Sequence, residues 1–584
     1  MTVDDAAPAP PTPWVLREYA VLADGERGAV VGPRGEVVWL CAPRWHSDAV
    51  FSALIGGAGE YTVGPRDDWN AWGGAYEDGT LIHVGRWITG DAVIECREAL
   101  AMPATPDRLV LLRRIRTVKG SARMRLRVDA RPGFGAHHMT GAWADDGVWH
   151  ASGGGLQLRF TGAEGATPTP GGGVHGELTV REGAEHDLVL ELSARPCTQP
   201  LDPVRLWRAT EECWAAAVPA CTDLAAPRDA RHAYAVLRGL TSESGGMVAA
   251  ATTSLPERAG ARRDYDYRFA WVRDQCYAGL AVAAHGPHPL LDTAVGYLTE
   301  RLLDDGDALR PVYTVTGAEV PGARSLPLRG YPGGSDRIGN RAGAQFQLDT
   351  YGELLQLYAA AARLDRLTPD ARRAVDVAVD AIERRWPTPD AGLWELEDRW
   401  WTHSRLCVVA GLRCLSRALP GRAAARWDTL ASAVLRETRR RCLAPEGHWT
   451  RAEDDAGAEA GLLLPLARGC LPAGDPSGPR TRRFIEDRLA QDGYLYRFRH
   501  GDTPLGETEG AFLLCGFMMA LAAHHEGDSI DAFRWFERTR AACGAPGLFA
   551  EEYDVGQRQL RGNLPQAFVH AQMLETAARL GEGR

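Results

Sequence analysis

The chain has 584 residues, too many for one small core, so two or more domains are expected. Hydrophobic residues make up 45% and charged residues 24%, an ordinary globular balance, and no apolar run approaches the ~20 residues needed to cross a bilayer. The net charge of −10 argues against the basic surface that a nucleic-acid partner requires and suits a neutral ligand.

Residues 1–13, MTVDDAAPAPPTP, are acidic and proline-rich and read as a disordered N-terminus. They lack the basic start and apolar run of a signal peptide. The 12 cysteines form no C-x-x-C pair, and several lie in apolar helical stretches such as RLCVVAGLRCL. Such thiols behave as small hydrophobes in a reducing compartment, so a cytoplasmic location is expected.

From 14 to 202 the chain reads as strands. RMRLRVDA at 123–130 and HDLVLELSA at 186–194 alternate polar and apolar residues, and glycine-rich turns separate such segments. This predicts an antiparallel β-sandwich. Residues 203–227 contain a linker helix, LDPVRLWRATEECWAAA. From 228 to 584 helical spacing takes over. Twelve helices are predicted, near 228–241, 271–285, 288–304, 343–365, 369–385, 403–418, 421–442, 457–468, 478–490, 509–525, 528–543 and 564–581. Two nested rings of six fit that number, as do other all-α arrangements. The long connections 305–342 and 386–402 are rich in Gly, Pro, Trp and charge, which suits functional loops on a rigid scaffold.

Four segments carry candidate chemistry. In DYDYRFAWVRDQCYAGL, Tyr267 and Trp271 precede Arg273 and Asp274 at a helix start. The pair can donate to and accept from adjacent hydroxyls, or serve as a helix-terminal charge pair. In GLWELEDRWWTHSRL, Glu395 follows Trp394, with Trp400 and Trp401 nearby. A carboxyl among indoles is poorly solvated, the setting in which an acid keeps its proton. In GETEGAFLLCGF, Glu509 opens an apolar helix, as a first-turn dipole partner or as a hydroxyl acceptor at a pocket rim. In GLFAEEYD, Glu551 and Glu552 stand in a connection, where extended neighbours point opposite ways, one to a cleft and one away. The sequence contains no nucleophile elbow, phosphate loop or H-E-x-x-H pair, and His403 and His570 are isolated. No metal site and no cofactor are read from it.

Taken in order, YRFAWVRD, RIGNRAGAQFQLDTYGE, LWE…WWTHSRL, EGAFLLCGF and AEEYD…GNLPQAF resemble glycoside hydrolase family 15, the glucoamylase, glucodextranase and bacterial trehalase group. The resemblance runs from about Trp14 onward. It implies an (α/α)6-barrel catalytic domain behind the β-domain and inverting, exo-acting hydrolysis that releases β-glucose from a small α-glucoside. It also implies Glu395 as general acid and Glu551 as general base. Tyr267, Trp271, Arg273 and Asp274 would line the terminal-glucose subsite, with Trp394 and Glu509 as further binding residues. The compact WELEDRWWTHS loop, Leu396 directly after the acid and Met518 after the C-G-F depart from the family pattern. They leave substrate identity open among isomalto- or malto-oligosaccharides and trehalose. A non-catalytic sugar-binding barrel is the reading from another class. The expected partner is a small α-linked glucoside, with no nucleic acid and no membrane; a homo-oligomer is left open.

Overall fold

The computed structural model describes residues 12–582 other than Pro170 and Arg262; most of the predicted disordered N-terminus, residues 1–11, lies outside the described residues. A four-stranded antiparallel sheet runs Ala20–Ala23, Gly28–Val31, Val37–Cys41 and Ala49–Phe51. A larger antiparallel system is organised by one long strand, Arg108–Asp129. Its first half pairs with Ala92–Leu100 and Glu185–Ser193, and its second half with Glu60–Pro65 and Val174–Arg181. The strand passes from one layer to the other at Gly120, whose φ of +80° only glycine adopts freely, and where a Cβ would meet the Asp91 carbonyl oxygen at 2.0 Å. Leu109, Leu111 and Ile115 of the first half and Met124, Leu126 and Val128 of the second bury into one shared apolar core. That is the sandwich the alternating pattern predicted.

Helix α1 (Pro203–Ala217) follows, capped by Asp202, whose carboxylate accepts from the Val204 and Arg205 amides. It lies against the β-domain: Trp207 donates to Asp187 at 3.1 Å and sits under the Arg97 guanidinium. Twelve helices follow in the described residues: α2 (Pro227–Leu240), α3 (Val272–His285), α4 (Pro289–Asp305), α5 (Asp349–Arg363), α6 (Pro369–Arg385), α7 (Thr402–Ala418), α8 (Arg422–Cys442), α9 (Leu463–Ala467), α10 (Ser477–Leu489), α11 (Leu513–His525), α12 (Ser529–Arg540) and α13 (Ala567–Gly581). They alternate in character. α8 and α10 bury one stripe, whereas α5, α11 and α13 are buried almost all round. The contacts explain why. α3, α5, α7, α9, α11 and α13 each touch the next, and α13 closes on α3, while the even-numbered helices pack outside them. The result is an (α/α)6 barrel with a closed inner ring. Two helices differ from prediction: α9 is a single short turn-and-a-half behind a 3-10 turn, and α5 begins at Asp349 rather than 343.

The inner ring is packed to backbone contact between α5 and α7. A Cβ on Gly352 would lie 2.6 Å from the Cys407 carbonyl carbon, and one on Gly411 2.5 Å from the Gly352 oxygen. Gly352→Ala must push two buried helices apart, so it is expected to destabilise the fold by about 1–3 kcal/mol. A thermal melt checks this; an unchanged Tm would mean the helices separate without cost.

The β-domain braces the barrel at several places, among them the segment just before α3. Arg268 is buried, forked onto Asp266 at 2.9 and 2.7 Å, and donates across the domain boundary to the Ser47 carbonyl at 3.0 Å and to Cys41 Sγ at 3.3 Å. Its guanidinium lies near the Trp39 and Phe134 rings, and His46 stacks on Phe269. Trp39 in turn donates to the Ala251 carbonyl at 2.9 Å.

Candidate active site

The connections that lead into the inner helices converge on a cavity of about 280 Å³, near the lower end of the range for small-molecule sites. Tyr267 and Trp271 come from before α3, Gln345 from before α5, and Trp394 and Glu395 from before α7. Phe512 precedes α11, and Glu551 and Gln566 precede α13. Of the sequence candidates, Tyr267, Trp271, Arg273, Asp274, Trp394, Glu395 and Glu551 all line this cavity.

Two carboxyl groups are held by one aromatic pair. The Tyr267 hydroxyl donates to Glu551 Oε1 at 3.0 Å, and the Trp271 indole donates to Glu395 Oε1 at 2.7 Å. The two rings meet edge-on with centroids 5.5 Å apart. Glu395 sits in a tight turn at φ +56°, a conformation that costs a non-glycine residue about 1–2 kcal/mol. The surroundings hold it there: Gln345 donates to its backbone carbonyl at 3.2 Å, and Arg273 reaches its carboxylate at 3.4 Å. Gln347, in turn, accepts from Arg273 at 3.1 Å.

Glu551 is buried, and burial together with neighbouring Glu257 pushes its carboxyl well above the usual carboxylate range. Arg497, the Tyr267 hydrogen bond and Arg263 pull the other way. Asp274 is pushed up to about 7 by burial, against the pull of Arg273, and its Oδ1 is buried with no partner among the described residues. A cavity-facing carboxyl without a partner is suited to a ligand hydroxyl. Arg273 stays cationic because Glu395, Asp349 and Asp274 surround it.

Glu509 is not at the rim. It lies four residues ahead of α11, is buried behind the lining, and is gripped by Arg497 at 2.7–3.0 Å and by His500 at 2.8 Å. Burial would raise it, but Arg497 and His500 outweigh burial and hold it down at about 2. The expected position of Glu509 on the cavity wall is taken instead by Arg497, which does line the cavity. Glu552 opens a short strand, Glu552–Asp554, and points away from the cavity, accepting from the Gly510 amide at 2.6 Å. The opposite-face reading of the two glutamates matches this arrangement. Carboxylate oxygens of Glu257, Glu509 and Glu552 lie within 4.8 Å of one another, a spacing that could hold a cation. Arg497 and Arg263 already supply positive charge to the same group, through Glu509 and through Glu257 at 2.6 Å.

Sequence reading missed Gln566. It stands at the N-cap of α13 yet caps nothing, and both its amide atoms are buried without partners among the described residues while lining the cavity with Glu551. An N-cap glutamine with an idle side chain is the signal, and it is visible only once the helix start is known. Gln566→Ala is expected to lower kcat/KM about tenfold or more, since it removes one ligand hydrogen bond of roughly 1.5 kcal/mol. Steady-state kinetics check this, and an unaltered kcat/KM would leave Gln566 a structural residue.

Comparison with known proteins places these features. Residues 231–578 match the model of glycosyl hydrolases family 15, and residues 12–200 match a trehalase-like N-terminal domain. Curated relatives include a trehalase of Mycobacterium tuberculosis, 28% identical over 98% of this chain and 90% of its own. A trehalase of Mycolicibacterium smegmatis is likewise 28% identical, over 98% and 92%. Among solved structures, a bacterial glucoamylase complexed with acarbose superposes with a TM-score of 0.71 at 14% identity, covering 99% of this chain and 96% of that one. This likeness bears on the fold.

Proposed function

Because the chain belongs to glycosyl hydrolases family 15 and is a glycoside hydrolase, we propose that it releases glucose from the non-reducing end of a small α-glucoside with inversion. The observation that carries the reading is the pair of carboxyls, Glu395 and Glu551, fixed on the same cavity by the neighbouring donors Trp271 and Tyr267. Glu395 acts as general acid and Glu551 as general base. Water held by Glu551 attacks the anomeric carbon and gives its proton to that carboxylate. The carbon–oxygen bond to the aglycone breaks, and Glu395 protonates the leaving oxygen. Such a reaction needs the carboxyls roughly 6.5–9.5 Å apart, with room for water between base and sugar. Supply from separate connections, before α7 and before α13, supports that arrangement. Arg273 and Asp274 hold the hydroxyls of the terminal glucose, and Tyr267, Trp271 and Trp394 provide its apolar walls.

Trehalose is a second candidate substrate, favoured by curated relatives that are trehalases across the whole chain. The twelve cysteines, all unpaired, support a reducing compartment such as the cytoplasm, and no helix among the described residues is long and apolar enough to cross a membrane. The test is glucose release from trehalose, isomaltose, maltose, panose, maltotriose and soluble starch, with the anomer of fresh product read by proton NMR. β-Glucose from one preferred substrate is expected. From trehalose inversion would give equal α- and β-glucose, because the leaving unit keeps its α configuration; fresh product that is α-glucose alone would overturn inversion, and no glucose from any would overturn the glucosidase reading.

A further inference from the structure

The cavity lining contains five arginines, and they are not alike. Arg273, Arg263 and Arg497 are each committed to carboxylates: Glu395, Glu257 and Glu509. Arg337 and Arg341 are exposed at the mouth. Neither side chain hydrogen-bonds or ion-pairs with a described residue; Arg337 acts only through space, on Asp264. Burial pushes the Asp264 carboxyl up, and Arg337 is one of the groups that pull it back.

These two cations stand on fixed backbone. The Arg337 carbonyl accepts from Thr253 at 2.7 Å and from Ser254. Between them, the Gly339 amide donates to Asp266 at 2.8 Å, and just after Arg341 the Ala342 amide is held by Asn340 at 2.8 Å. The loop 320–345 that carries them has four arginines and a single acid, Asp336, in a chain whose net charge is −10. A local positive field at a cavity mouth in an acidic protein draws anions to that mouth. The depth of the site is occupied by Asp274, Glu395 and Glu551, all but Glu395 buried, so the mouth is where the leaving group lies.

We propose that the aglycone side of this cavity binds an anionic unit, so that the preferred substrates are α-glucosides whose leaving group carries a carboxylate or a phosphate, held by Arg337 and Arg341. This rests on the glucosidase reading above. Guanidinium is the group suited to either anion, since its fork matches both geometries.

Matched pairs that differ only in aglycone charge test it: maltose with maltobionate, isomaltose with its aldonate, and trehalose with trehalose 6-phosphate. For at least one pair, kcat/KM for the anionic member is expected to exceed the neutral one by about tenfold, and the ratio should shrink as salt is raised. The first two pairs report a carboxylate preference and the third a phosphate preference. In the double variant Arg337→Gln/Arg341→Gln the ratio should fall to about one, and in Arg337→Lys/Arg341→Lys it should recover in part. Glucose release from neutral members with no anionic preference overturns this proposal and leaves the glucosidase reading intact. An anionic preference that survives the glutamine variant also overturns it. Absence of glucose from all six overturns both.

Discussion

Replacing Glu551 with glutamine is expected to cut kcat by about 10²–10⁴-fold, the usual range for loss of a general base. Glutamine keeps the volume and can still accept from the Tyr267 hydroxyl, so the fold and the cavity should survive the change. What would be lost is the group proposed to take the proton from water. The electrostatics give this prediction a second edge. Burial and Glu257 raise the Glu551 carboxyl above the ordinary carboxylate range, so it ionises at higher pH than a solvated glutamate. A base works only when ionised, so kcat/KM in the wild type should climb with pH along a limb displaced toward neutrality. Below that limb the protonated carboxyl cannot act; above it a relatively strong base can. The variant should lose the limb along with the rate. Kinetics across the acid range read both effects, and near-wild-type turnover in Glu551→Gln would remove the residue from the chemistry.

The second large effect is leaving-group dependent. Glu395→Gln should reduce hydrolysis of disaccharides by about 10²–10⁴-fold, because a sugar alkoxide leaves poorly without a proton. The same variant should retain most of its turnover of α-glucosyl fluoride, since fluoride departs without protonation. Glutamine preserves the acceptor for the Trp271 indole at this φ +56° position, so the strained turn need not change. A comparable loss on both substrates would point to distortion of the turn rather than loss of an acid.

Much of the fold was legible because burial leaves a period in sequence. The strand at 108–129 and the helices of the outer ring each bury one face, and their patterns announce it. The inner helices were legible for a different reason: LLCGFMMALAAHH in α11 is apolar on every side, which needs neighbours all round. Closure of α13 onto α3 joins the two ends of the helical region, and no local pattern encodes it. The site was readable where neighbours in sequence work together, as with Tyr267, Trp271, Arg273 and Asp274. It was unreadable where a partner lies far off. Glu509 looks like a helix-start acid until Arg497, folded back from a separate hairpin, is seen to grip it. The late start of α5 has the same origin. Its predicted first turns are a 3-10 turn and an extended stretch, and that stretch frees Gln345 and Gln347 to reach Glu395 and Arg273.

Arg268 links the two domains at the edge of the site. It ties Asp266, one residue from Tyr267, to the carbonyl of Ser47 and the rings of Trp39 and Phe134 in the other domain. The aromatic segment that aims both carboxyls is therefore moulded partly by a domain none of whose described residues lines the cavity. Selection for turnover would then act on Trp39 and Phe134 as it acts on the barrel, and grafting this barrel onto a foreign β-domain would alter catalysis without altering one residue of the active site.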